Sequence, residues 1–168
     1  MQVQIQSPKS LKWADWIFAS SMEKTTHKFQ QLKYAYERLD EALKLKFPTP
    51  QTKIDTVVHR FEIITASLLV FLKMRLDSEA KIKVASPQEA ISTARSLGIF
   101  PADDRWSELI RDRNAVARSF SDENSAEIYS KIKNEYLAMI KDFIKNYATL
   151  RLLSKNHRQY LAKIKTSI

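Results

Sequence analysis

A single glycine, Gly98, serves the whole chain of 168 residues. Tight β-hairpins draw on glycine, or on Asn-Gly pairs, for their positive-φ turn positions. A chain this poor in glycine is therefore expected to join helices through short polar loops. Cysteine is absent altogether, which rules out a disulfide framework, a thiolate zinc site and a cysteine nucleophile, and fits a reducing, cytoplasmic setting. At this length one domain can bury a proper core. Hydrophobic residues make up 44% of the chain and charged ones 28%, a globular rather than a disordered balance.

Apolar periodicity supplies the elements. Phe29, Leu32, Tyr36, Leu39 and Leu43 recur every three or four positions and predict an amphipathic helix from Glu23 to Phe47, stopped by Pro48 and Pro50. Thr52 is read as opening a second helix that runs to about Ser78. Its core face is Val57, Val58, Phe61, Ile64, Thr65, Leu68, Leu72 and Leu76. Ile63, Leu69, Val70 and Phe71 leave it little polar surface, so it is expected to lie centrally or to be covered by a partner subunit. After a loop at Ala80–Ala85, Ser86-Pro87-Gln88-Glu89 reads as a helix start, with Gly98 at the far end of that short helix. Asp103 or Asp104 caps a segment through Trp106, Leu109, Ile110 and Val116. Ser121-Asp122-Glu123-Asn124 reads as a turn and cap before a long final helix carrying Tyr129, Ile132, Tyr136, Met139, Ile140, Phe143, Tyr147 and Leu150. The expected fold is all-α, an up-and-down four-helix bundle with an additional short helix. It spans residues 23–150, with an N-terminal extension at 1–22 and a basic C-terminal extension at 151–168. No signal peptide is expected, because Met1 to Gln6 lacks a basic start and a long apolar run. The most apolar window, Ile63–Leu72, is about half of a membrane span.

The formal charge of +9 is uneven. Residues 142–168 carry six basic side chains and one acidic. Such a basic end favours a polyanion such as RNA, or an acidic protein face, while a merely solvated helix end is the plainer alternative.

Few residues offer chemistry. His27, His59 and His157 are far apart and lack metal-ligand spacing, so no metal site is expected. No glycine-rich phosphate loop exists, and no cofactor is expected. What remains is Trp106–Phe120, where Arg111, Arg113 and Arg118 could present guanidinium forks to phosphate oxygens, with Asn114 adding a donor and an acceptor. The same arginines could instead be surface groups paired with Glu108, Asp112 and Asp122. The residues alone leave both readings open.

Several stretches taken together resemble the HEPN superfamily, specifically the nucleotidyltransferase substrate-binding proteins. They are Tyr36-Glu37-Arg38-Leu39-Asp40-Glu41-Ala42-Leu43, Asp55 with Arg60-Phe61-Glu62, Ser86-Pro87 with Ala94, Trp106 with Asp112-Arg113-Asn114, and Glu127-Ile128-Tyr129. The resemblance implies a bundle that dimerises, bringing two R-x-x-x-x-H motifs into a composite cleft. It further implies a metal-independent ribonuclease toxin, paired with a minimal nucleotidyltransferase that acts as antitoxin by modifying a tyrosine two residues beyond the histidine. Arg113 takes the motif arginine's place and Asn114 that of its usual neighbour. Arg118 stands where the histidine belongs, Phe120 where the tyrosine belongs, and Leu69-Val70 where Trp-Lys is usual. An arginine stays protonated and cannot take the proton of a 2′-hydroxyl, although it can stabilise charge. The implied protein is a catalytically degenerate homodimer. It would bind a nucleotidyltransferase, RNA or a nucleotide through Arg113, Asn114 and Arg118, with Asp112, Glu62 and Arg111 in support. A working ribonuclease with a different base is the alternative.

Overall fold

The computed structural model describes residues 13–101, 103–118 and 121–148, with side-chain environments from Glu23 onward, Glu79 excepted. Those residues form helices and connections, with no strand among them. Helix α1 spans Trp13–Lys44 and α2 spans Pro50–Arg75. Two short helices follow, α3 at Pro87–Ser96 and α4 at Arg105–Arg118. Helix α5 begins at Asp122–Lys131, passes through a π-helical turn at Ile132–Tyr136 and stays helical over residues 137–148. The all-α bundle expected from periodicity is what the chain forms.

Local chemistry sets most boundaries. Thr49 caps α2, its hydroxyl accepting from the Thr52 amide at 3.1 Å, and Pro50 occupies the first turn. Pro50 therefore starts the second helix rather than stopping the first, because its missing N–H would be unpaired there in any case. The first helix ends at Lys44, short of the expected Phe47, and reaches back as one helix to Trp13. Ser86 caps α3 by accepting from the Glu89 amide, while the Glu89 carboxylate accepts from the Ala85 amide at 2.7 Å. At the other end of α3, Gly98 sits at φ +69°. The Ile99 amide returns to the Ala94 carbonyl and the Gly98 amide to that of Arg95, which is the Schellman closure. Asp103 anchors the start of α4, accepting from the Arg105 backbone and gripping its guanidinium.

Helix α1 lies along α2, and α2 also meets α3, α4 and α5. The core follows from the apolar stripes: Phe29, Leu32 and Leu39 of α1 bury against Phe61, Ile64, Leu68, Phe71 and Leu72 of α2. An aromatic cluster of Phe71, Phe100, Trp106, Phe143 and Tyr147 fills the end of the bundle where α3 passes into α4. On α2 the mid-helix apolar residues divide. Leu69 and Phe71 are buried, whereas Ile63 and Val70 stay 38% and 45% exposed. Among the described residues no helix is long and apolar enough to cross a membrane.

Candidate functional site

The sequence points to α4, and its geometry explains what each residue there can do. Trp106, Leu109, Ile110 and Val116 form its buried stripe. At about 100° per residue, Arg113 falls on that same stripe, one turn beyond Leu109 and Ile110. Its Nε is buried without a hydrogen-bond partner. One of its terminal nitrogens donates to the Asn114 Oδ1 at 3.2 Å. No carboxylate pairs with Arg113 among the described residues. An arginine on a core-facing position normally has its charge compensated there, since a buried cation without a partner is costly. Asn114 steadies the guanidinium but does not neutralise it.

The adjacent carboxylate is engaged elsewhere. Asp112 turns toward α5, where its Oδ2 accepts from the Tyr136 hydroxyl at 2.5 Å and lies 3.2 Å from Lys131 Nζ. Burial, and then the hydrogen bond to Asp112, hold the Tyr136 phenol protonated well above the ordinary tyrosine range. Burial works against the Lys131 ammonium, but its bonds to Asp112 and Glu127 outweigh that and raise its pKa. Tyr136 in turn stacks on Phe61 of α2, ring centroids 5.6 Å apart, so one polar bridge ties α4 to α5 against α2.

The other predicted residues are not gathered at one point. Arg111 and Arg118 share the exposed face of α4, about 140–160° around the helix from Arg113. Arg111 reaches Glu108 at 3.8 Å, whereas Asp112 pairs with Lys131 and Asp122 accepts from Gln51. The surface-pairing alternative thus holds for Arg111 and not for Arg113. Glu62 lies on α2 with its side chain 32% exposed, its carboxylate 3.8 Å from the His59 Nδ1. No ion pair joins Glu62 to Arg113. Phe120 and the basic residues 151–168 lie outside the described residues. Among the described residues, no group of three or more His, Asp or Glu could hold a metal ion.

One feature escapes the sequence reading, and it lies beside Trp106. That residue, already on the apolar stripe predicted for α4, is 1% exposed and stacks on Phe100, centroids 4.1 Å apart, so it anchors α4 and offers no face to a ligand. A cleft of about 220 Å³ opens beside it, between Arg75, the Asp103–Arg105 pair, Asp142 and Tyr147. Its lining comes from three separate stretches, and no spacing rule could assemble them.

The fold and site define an all-helical bundle that carries, on the inner face of a short helix, a guanidinium with no carboxylate partner among the described residues. More specifically, the chain belongs to the nucleotidyltransferase substrate-binding family, whose model, described as nucleotidyltransferase substrate binding protein like, matches residues 27–149. A crystal structure of a protein from Thermus thermophilus is similar in fold, with a TM-score of 0.61 and 20% identity over 68% of this chain and 97% of that one. No curated protein matches the chain.

Proposed function

We propose that this chain is a HEPN-type binding protein: the homodimeric, catalytically degenerate partner of a minimal nucleotidyltransferase in a toxin–antitoxin-like pair, working in the cytoplasm. The family match supports a nucleotidyltransferase as partner. The observation that carries the binding role is Arg113, a half-buried cation with an unpartnered Nε and, among the described residues, no carboxylate to neutralise it. Such a group favours an incoming anion, and a phosphate oxygen of RNA or of a nucleotide fits its fork. Asp112, held by Tyr136 and Lys131, is not available to quench it. Catalysis is disfavoured by Arg118, which takes the general base's position and stays protonated.

Binding and cleavage of tRNA and single-stranded RNA would test this reading, with the native protein beside Arg113→Ala and an Arg118→His, Phe120→Tyr double variant. Complex formation with a cognate nucleotidyltransferase would be measured in parallel. The native protein is expected to bind without cutting, and the double variant to cut. Arg113→Ala should weaken RNA binding by about ten- to a hundredfold with its circular dichroism unchanged. Cleavage by the native protein that Arg113→Ala abolishes would instead establish the ribonuclease alternative. Absence of any complex with nucleotidyltransferase, RNA or nucleotide would overturn the binding role.

A further inference from the structure

Helix α2 leaves an apolar seam uncovered. His59, Ile63, Ala66, Val70 and Lys73 follow one another at alternating steps of four and three, the spacing that keeps one line of a helix facing another helix. Ile63 and Val70 are substantially exposed, and Ala66 between them is exposed as well. Beside Ala66, the Ser67 hydroxyl donates to the Ile63 carbonyl at 2.9 Å, so it needs no water. The centre of the seam is therefore small and satisfied, with a β-branched residue on either side. On the flank toward α1, a groove of about 400 Å³ runs between Tyr34, itself 65% exposed, and Arg60, Ile63 and Ser67.

We propose that this seam is the homodimer interface, with α2 of one protomer packed antiparallel on α2 of its partner about a twofold axis at Ala66–Ser67. The proposal rests on reading the chain as a dimer and adds the face by which it dimerises. Two properties select a second copy as the occupant. The seam is self-complementary: Ile63 and Val70 lie equally far from its centre, so a twofold axis sets each against the other and brings the small residues together. The charges match under the same operation. Glu62 and Lys73 lie on one flank of α2, about 20° apart in rotation and roughly 16 Å apart along the axis. They cannot meet within one chain. Across the axis each Glu62 comes level with the Lys73 position of the partner to within about one turn, twice by symmetry. Lys73 has no ion pair among the described residues, and Glu62 reaches only His59 at 3.8 Å.

The absence of native cysteine makes the test direct. Ala66→Cys places one thiol per chain next to the axis, whereas Ala126→Cys places one on the exposed surface of α5. Under mild oxidation Ala66→Cys should cross-link to a covalent dimer and Ala126→Cys should not. The unmodified protein should sediment as a dimer, and Ile63→Glu with Val70→Glu should raise the dimer dissociation constant at least about a hundredfold with helicity retained. Glu62→Lys alone and Lys73→Glu alone should each weaken the dimer, and together restore it. A monomeric native protein, or cross-linking at residue 66 no better than at residue 126, overturns the proposal. Failure of the double swap to restore the dimer overturns the antiparallel register. None of these measurements uses RNA or a nucleotide, so the seam and the Arg113 reading can fail separately.

Discussion

Asp112 and Arg113 are neighbours in the chain with opposite fates. Asp112 spends its charge on Tyr136 and Lys131, and Arg113 keeps its own. Removing the Tyr136 hydroxyl with Phe leaves one carboxylate oxygen without its strongest partner. Urea denaturation should show Tyr136→Phe destabilised by about 1.5–3 kcal/mol, the range for a hydrogen bond to a charged group. The raised phenol pKa adds a pH signature. Tyr136 is neutral in both states below about pH 10, so its contribution is intact there. Above that the unfolded chain loses the proton first, and stability falls as pH rises; thermal melts from pH 8 to 11 should show a shallower loss for Tyr136→Phe. Gly98 makes a separate residue-scale case. Its surroundings would admit a Cβ, but its φ of +69° is strained for any L side chain. Gly98→Ala should cost about 1 kcal/mol in the same assay. Gly98 was legible from sequence because its role is local. The inward turn of Arg113 was implicit in the Trp106–Leu109–Ile110–Val116 spacing, whereas the Tyr136 hydroxyl on Asp112 joins residues 24 apart and follows from no local rule.

Helix α4 sets Arg113, the residue proposed to bind, into its structural stripe. A Met at position 113 would continue the apolar face and relieve the uncompensated charge. Arg113→Met should therefore raise stability by about 0.5–2 kcal/mol in chemical denaturation while RNA binding is lost, the usual opposition between a strained site and a stable one. Helix α2 shows how element boundaries depend on fine chemistry. Proline reads as a breaker, yet Thr49-Pro50 is a cap followed by a first-turn residue. Thr49→Ala should cost about 1 kcal/mol in thermal or urea unfolding. The π-helical turn at Ile132–Tyr136 has no counterpart in the apolar period of the final helix. Periodicity places the stripe but does not register one extra residue in a turn.

For the molecule as a whole, the charge of +9 and the exposed arginines of α4 make binding to a polyanion salt-dependent. If Arg111, Arg113 and Arg118 all contact phosphate, the logarithm of RNA affinity should fall against the logarithm of salt with a slope of about −2, and Arg113→Ala should flatten it by roughly 0.7. Filter binding across a salt series measures both. Sequence alone determined the all-α class, most helix-forming stretches, the caps at Ser86 and Ser121 and the candidacy of Arg113, because each depends on contacts within a few residues or on the period of the α-helix. Tertiary structure alone decided that no carboxylate among the described residues pairs with Arg113, that Asp112 serves α5 rather than the arginines, and that Ile63 and Val70 remain uncovered. Those outcomes depend on which helices become neighbours and how they are rotated about their axes. That is settled by the burial of the whole core at once, and no single stretch of the chain carries it.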